Sequence, residues 1–396
     1  MQKQAGDTMN TMQFVVPCHF GTEAVLKREI IDLGYEICSV EDGRVIFDGD
    51  AEALCRANLF LRTAKRVLLL LGRFHAESFE ELFQGTRAIA WEDILPANAK
   101  FWVTKASPVK SRLFSAPDIQ SVMKKAMVER MREHYGYQQF PEDGDAYPVR
   151  VFLYKDEVTV ALDTSGEPLH KRGYRQWTPK APLDETLAAA LIDLTPWKAD
   201  RILVDPFCGS GTILIEAAMK AANIAPGVSR NFLAEHWDHL VPRSEWAACR
   251  EEALEMENRK IELSVQGFDI DGKVLKLARE NARLAGVDHL IHLQQRPVSE
   301  LQHSKKYGFL ITNPPYGERL EDKQALPKLY QELGESYRRL DNWSMYVITS
   351  YEHAERDIGR KADRNRKLYN GMIKTYYYQF LGARPPRREH RPGRAS

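Results

Sequence analysis

Asn313, Pro314, Pro315 and Tyr316 stand in a row inside "TNPPYGERL", directly after the apolar run "GFLI". Two prolines fix φ and remove two amide donors, so the backbone here is stiff and rich in carbonyls. Such an edge accepts hydrogen bonds. It suits a planar exocyclic NH2, whose delocalised lone pair makes it a poor nucleophile. The Asn313 side-chain oxygen and the Pro314 carbonyl can each take one N–H, bend the nitrogen toward tetrahedral and aim its lone pair. Tyr316 offers a face on which a base can stack. A turn that merely stops a strand can carry the same Asn-Pro signature. Position gives the row its weight, because it ends the fourth in a series of short strands, where open α/β sheets hold their ligands.

The second chemical stretch is "DPFCGSGT", Asp205 to Thr212, between the apolar run "ILV" and the helical run "ILIEAA". Gly209 and Gly211 let the backbone bend sharply and approach a ligand with no Cβ in the way. Amides around Cys208, Gly209, Ser210 and Gly211, at the start of the following helix, can hold the carboxylate of an amino-acid-like cofactor. Asp205 can accept from its cationic amine. A dinucleotide fingerprint needs a third glycine where Leu214 stands, and no Gly-Lys-Ser/Thr follows, so the nicotinamide and P-loop readings both fail. The next strand ends in "GFDID". Asp269 is placed to receive two ribose hydroxyls, whereas Asp271 fits either that role or the cap of the helix that follows. The third strand ends in "QQRPVSE", where Arg296, Pro297 and Val298 offer backbone groups and an apolar wall.

These residues need a scaffold of two textures. Up to about residue 163 the pattern is α+β. Strand "FVVPC" leads to a helix stopped by Gly34, then come a hairpin around Asp42-Gly43, a long helix opened by Pro117 and Asp118, and a second hairpin around "YKDE". From Arg201 a βα rhythm predicts a parallel sheet covered on both faces. Asn370-Gly371, between two β-rich runs, predicts a closing antiparallel hairpin with a type I′ turn. The tail "ARPPRREHRPGRAS" has the composition of a disordered end.

With 396 residues the chain calls for two or three domains. A formal charge of +1 excludes a uniformly basic nucleic-acid binder but not a local basic stripe. Five scattered cysteines without a Cys-x-x-Cys pair argue against a zinc site or a disulfide framework, and so for a reducing cytoplasm and no metal. The first residues lack a signal-peptide core, and "VLLLLG" is too short to span a bilayer, so no membrane is expected.

"DPFCGSGT" and "NPPY" together resemble the class I S-adenosylmethionine-dependent methyltransferases. The longer matches "NPPYGERL", "SGEPLHKRGYR" (165–175), "APLDETLAAALI" (181–192) and "ANIAPGVSRNF" (222–232) narrow the resemblance to the bacterial THUMP-domain RNA methyltransferases related to the 23S rRNA guanine-N2 enzyme. The resemblance implies an α/β chain, with a Rossmann-like methyltransferase sheet preceded by α+β ferredoxin-like and THUMP domains. The implied division is a ferredoxin-like segment at 1–43, THUMP at 44–163, a linker at 164–185, the catalytic domain at 186–384 and a basic tail at 385–396. It implies S-adenosylmethionine contacts at Asp205, Cys208, Gly209, Gly211, Asp269 and Asn313. The family's acidic adenine contact is replaced here by Pro297. As substrate it implies RNA, either 23S rRNA or a large-subunit assembly intermediate. Lys105, Lys110 and Arg112, and His170, Lys171, Arg172 and Arg175, are basic clusters suited to phosphate. Glu318 and Arg319 are placed to read guanine N1–H or to lock the loop. "NPPY" alone is also compatible with adenine-N6 methylation, and a non-catalytic RNA-binding assembly protein is the reading from another class.

Overall fold

The computed structural model describes residues 11–175, 183–316 and 320–386, with side chains on the helix after 320 described from 324 onward. Glu318, Arg319 and most of the basic tail lie outside these residues. The chain forms two compact units, Met1–Arg172 with Ala225–Met256, and Gly173–Ile224 with Glu257–Ser396.

The first unit is built on β1 (Met12–Pro17), α1 (Glu23–Asp32), β2 (Ile37–Glu41), β3 (Arg44–Gly49), α2 (Ala51–Phe60), β4 (Leu68–His75), α3 (Phe79–Arg87), β5 (Lys100–Val109), α4 (Ala116–Tyr135), β6 (Ala146–Tyr154) and β7 (Glu157–Asp163). Its seven strands form one sheet in the order β2-β3-β1-β4-β7-β6-β5. Both expected hairpins are present, and the β2–β3 hairpin spans the sequence division drawn at 43. The unit also takes in 225–256, which the sequence division groups with the catalytic stretch. There Trp237 stacks on Tyr147 with ring centroids 4.9 Å apart and donates its indole N–H to the Ala146 carbonyl at 3.1 Å. Trp246 stacks on Phe232 at 5.3 Å. Both indoles are core packing, as their bulk and apolar context suggest.

The second unit contains α5 (Glu185–Asp193), β8 (Leu203–Asp205), α6 (Thr212–Ala221), β9 (Val265–Asp269), α8 (Gly272–Leu284), β10 (Ile291–Gln295), β11 (Phe309–Thr312), α9 (Leu320–Arg338), β12 (Ser344–Thr349), α10 (Ala354–Ile358), β13 (Arg364–Asn370) and β14 (Ile373–Phe380), while α7 (Arg243–Glu255) belongs to the first unit. The sheet order is β10-β9-β8-β11-β12-β14-β13. The first five strands run parallel and β14 returns antiparallel. The expected methyltransferase architecture is therefore the one observed. Period-two alternation decides which side chain meets which helix. Leu203, Phe309 and Ile311 face α5 and α6 residues such as Leu187 and Leu214. Val204 and Leu310 face α9 residues Tyr330, Leu333 and Tyr337. The closing turn differs from expectation. Asn370 pairs with Ile373, so the two loop residues are Gly371 and Met372, and of these only Gly371 has positive φ (+61°). That pattern is type II′ in character, with glycine first in the loop.

Replacing the fully buried Trp237 with Ala should remove a stacked ring and leave the Ala146 carbonyl without its donor. We expect a loss of about 3–5 kcal/mol from the first unit, measured by urea denaturation followed through that unit's tryptophan fluorescence.

Candidate active site

β8 pairs with β9 on one side and with β11 on the other, so the chain reverses its direction of winding between β8 and β11. At such a switch point the connecting loops part and leave a crevice at the carboxyl ends. A cavity of about 440 Å³ lies there. It is lined by Phe207 and Gly209 after β8, Asp269 and Ile270 after β9, Arg296 to Val298 after β10, Asn313 to Tyr316 after β11, and Leu329 and Glu332 of α9.

The loop after β8 is held from below. Asp205 is buried, and its Oδ1 accepts the Thr312 hydroxyl at 2.6 Å and the Phe207 amide at 3.1 Å. The Cys208 amide continues the ladder to the Phe268 carbonyl at 2.9 Å, and the Asn281 side-chain amide of α8 donates to the Ser210 carbonyl at 3.0 Å. Gly209 (φ +53°) and Gly211 (φ +84°) take the left-handed turns that this path requires. Gly267 permits the close approach underneath, because a Cβ there would lie 2.3 Å from Leu214 Cδ1 and 3.0 Å from Cys208 Sγ.

The Asp269 carboxylate is fixed by two backbone donors, the Gly209 amide at 3.0 Å and the Asp271 amide at 2.9 Å. Each oxygen keeps further acceptor capacity. Burial raises its pKa, against the pull of those amides. The same cause pushes Asp205 up to about 7, opposed by the Thr312 and Phe207 hydrogen bonds and assisted by the nearby Asp269 charge.

The edge after β11 has Asn313 half-buried, Pro314 buried and Pro315 exposed. The Pro315 carbonyl is the acceptor for the Tyr330 hydroxyl at 3.4 Å. The Tyr316 hydroxyl accepts from the Asn370 side chain at 3.4 Å, so the closing hairpin helps set the angle of the ring.

Of the cofactor set read from sequence, the cavity gathers Gly209, Asp269, Arg296 and Asn313. The others serve from outside it. Cys208 is buried in the core cluster beneath the loop, and burial holds its thiol far above the ordinary range, so it is an inert packing group. The buried Ser210 hydroxyl turns to Thr212 at 3.4 Å, and Gly211 is the N-cap of α6. Asp205 does not line the cavity but accepts from the amide of Phe207, which does. Asp271 is exposed and caps α8 by accepting the Lys273 amide at 2.8 Å, the capping role read from sequence. Sequence reasoning missed Phe207, Ile270, Leu329 and Glu332. Ile270, 74% exposed, was legible in principle as the apolar residue between two acids at a strand end.

Two basic residues proposed to contact RNA are corrected by burial. Arg172 is 5% exposed and donates to the Leu169 carbonyl at 2.6 Å and to the Arg62 carbonyl. Arg175 meets the first residue of α6, donating to the Thr212 hydroxyl at 2.5 Å, and also donates to the Leu183 carbonyl at 3.0 Å, with Glu185 3.3 Å away. Turns crowded with carbonyls take up these guanidinium donors. Lys171 is exposed and pairs with Glu167 at 2.7 Å. Lys105, Lys110 and Arg112 are also exposed, Arg112 pairing with Glu77 at 2.5 Å. Among the described residues no helix is long and apolar enough to cross a membrane, and no group of three or more His, Cys, Asp or Glu is arranged to hold a metal.

A crevice at the switch point with an acceptor edge beside it, on a parallel sheet closed by an antiparallel hairpin, is the arrangement of a methyltransferase-type catalytic unit. The RMKL-like methyltransferase domain family matches residues 172–379, the RlmL ferredoxin-like domain residues 13–68 and the THUMP domain residues 76–163. The chain is 46% identical over 383 residues to YpsC of Bacillus subtilis, named as a candidate RNA methyltransferase, covering 96% of this chain and 99% of that one. It is 33% identical over 390 residues to ribosomal RNA large subunit methyltransferase K/L of Cellvibrio japonicus, covering 93% of this chain but only 51% of that larger protein. Among solved structures, SMU.472, a candidate methyltransferase complexed with SAH, is 43% identical with a TM-score of 0.89, covering 95% of this chain and 99% of that one. The chain belongs to the THUMP-containing RMKL-like methyltransferase family.

The raised pKa of Asp205 has a sign that can be measured. Folding holds its proton more tightly than the unfolded chain does, so the stability it adds is full below about pH 4 and is lost as pH rises through about 7. Asp269 adds a slope of the same sign. With ligand absent, the wild type should lose on the order of a few kcal/mol relative to Asp205→Asn between those limits. Denaturant midpoints of both proteins across this pH range provide the check.

Proposed function

We infer that this protein is an RNA N-methyltransferase that forms N2-methylguanosine, with 23S rRNA or a large-subunit assembly intermediate in the cytoplasm as its substrate. The observation that carries the reading is the acceptor edge of Asn313 and Pro314 in one cavity with the Asp269 carboxylate. S-adenosylmethionine is the methyl donor. The cavity fits it: Gly209 leaves its loop open, Asp269 presents a fixed carboxylate for a ribose diol, and Ile270 and Val298 give apolar surface for a base. When bound, it supplies a methyl group already activated on a sulfonium.

With the methyl so activated, the protein has mainly to position the acceptor. Asn313 Oδ1 and the Pro314 carbonyl each receive an N–H of the exocyclic amine and turn its lone pair out of conjugation. Tyr316, braced by Asn370, gives the base a stacking face. The extra proton of the methylated amine leaves last, passed along Asn313 Oδ1 or the Pro314 carbonyl to water. No strong general base is required.

RNA as the substrate class is supported by the THUMP domain and by the names of the relatives, YpsC and the large-subunit enzyme K/L. Guanine N2 rests on the resemblance of "NPPYGERL", within which Glu318 is proposed to read guanine N1–H and Arg319 to orient it or a phosphate. The exposed Lys105, Lys110, Arg112 and Lys171 remain the proposed phosphate contacts.

Asn313→Ala should lower the methylation rate by roughly 10²–10³-fold, the cost of losing one oriented polar group, and leave RNA binding in a gel-shift assay within a few fold. Near-normal turnover would remove Asn313 from the reaction. Digesting RNA labelled by the wild type and identifying the nucleoside separates N2-methylguanosine from N6-methyladenosine.

A further inference from the structure

The wall of the cavity contributed by β10 presents a problem for recognising a nucleobase. Pro297 has no amide N–H and no side-chain acceptor, and Val298 is apolar. The Arg296 guanidinium is a donor, held 4.9 Å from the centre of the Phe268 ring. Nothing on this wall resembles the acid that accepts an adenine amine in related enzymes. Yet a second carboxylate does line the cavity. Besides Asp269, the described lining holds one more acid, Glu332, and it comes from α9.

Its placement is set by the next turn of the helix. Ser336, four residues on and therefore on the same face, donates its hydroxyl to the Val298 carbonyl at 2.7 Å. This pins that face of α9 onto the Pro297–Glu300 segment. Leu329, three residues before Glu332, also lines the cavity. Glu332 is thus aligned with the Pro297–Val298 wall, with its side chain 30% exposed. Its ion pair with Lys328 is 4.0 Å long and reaches a lysine that is 83% exposed, a contact worth little in water. The carboxylate therefore keeps acceptor capacity on the cavity side.

We propose that Glu332 is the specificity residue for the cofactor's adenine, its carboxylate accepting the 6-amino group in place of the acid missing from the turn after β10. The inference rests on the reading of this cavity as the S-adenosylmethionine site. Ile270 and Val298 give the base its apolar contacts, and Glu332 distinguishes an amine from a carbonyl at position 6. A carboxylate accepts from the amine and repels a 6-oxo group, whereas an amide can turn either way.

The test is calorimetric binding of S-adenosylhomocysteine and of S-inosylhomocysteine, its 6-oxo counterpart, to the full chain and to Glu332→Gln and Glu332→Ala. The wild type should prefer the adenosine compound by about 10- to 100-fold, the range for one hydrogen bond to a charged group. Glu332→Ala should bring the two affinities within a few fold of each other, chiefly by weakening the adenosine compound. Glu332→Gln should narrow the gap by improving the 6-oxo compound, a gain that loss of structure cannot produce. Full preference retained in both variants would overturn the proposal, as would a wild type with no preference. A change in RNA KM with unchanged cofactor preference would also overturn it, since Glu332 would then read the substrate base. A wild type that binds neither compound would instead refute the cofactor reading of the cavity.

Discussion

The hydrogen bond from Thr312 to Asp205 joins the carboxyl ends of β8 and β11, the two strands between which the winding of the sheet reverses. Loops leaving a switch point diverge, so nothing in the ladder itself fixes their separation. A buried carboxylate does so here, using one oxygen for the last residue of β11 and for the second residue of the loop after β8. The cofactor side and the acceptor side of the cavity both start from this tie. Because the tie is dehydrated, its carboxylate carries a raised pKa, the electrostatic cost of placing an acceptor where water does not reach.

From that floor the site is assembled by groups that already satisfy one another. The Gly209 amide orients Asp269, Asn281 of α8 holds the Ser210 carbonyl, and the hairpin residue Asn370 braces Tyr316. The signature "DPFCGSGT" thus acts mainly as structure. Asp205, Cys208, Ser210 and Gly211 shape a loop from which Pro206, Phe207 and Gly209 reach the cavity. The walls come from residues with no signature of their own, Ile270, Val298, Leu329 and Glu332. Such a division suits a reaction that depends on positioning, because stiffness in the supporting residues limits the misalignment that lowers rate.

Much of the fold was legible in local patterns. Alternation and Gly or Pro punctuation marked the hairpins of the first unit, and the βα rhythm with Asn370-Gly371 marked the second sheet and its antiparallel end. Charge was read less well. Arg172 and Arg175 resemble phosphate ligands in sequence, yet nearby carbonyls and the Thr212 hydroxyl accept from them and Glu185 lies beside Arg175, a competition visible only once the chain is folded. Trp237 was legible as a packing residue, but its partner Tyr147 lies 90 positions away, so the membership of 225–256 in the first unit was not. The turn at Gly371 shifted by one residue because strand pairing, not the Asn-Gly dipeptide, sets the loop.

By itself the sequence determined the chemistry on offer: a stiff, carbonyl-rich edge at Asn313 to Tyr316, a glycine turn at Gly209 and Gly211, and an acid at the end of β9. These are local properties, fixed by residue type and by neighbours a few positions away. Tertiary structure decided which of those groups face the cavity and which lie under it, and it brought α9 onto the segment 297–300 so that Glu332 joined the lining. The physical reason is distance along the chain. A side chain's burial and hydrogen-bond partners depend on residues tens to more than a hundred positions away, as with Thr312 and Asp205 at 107, and no local pattern encodes them.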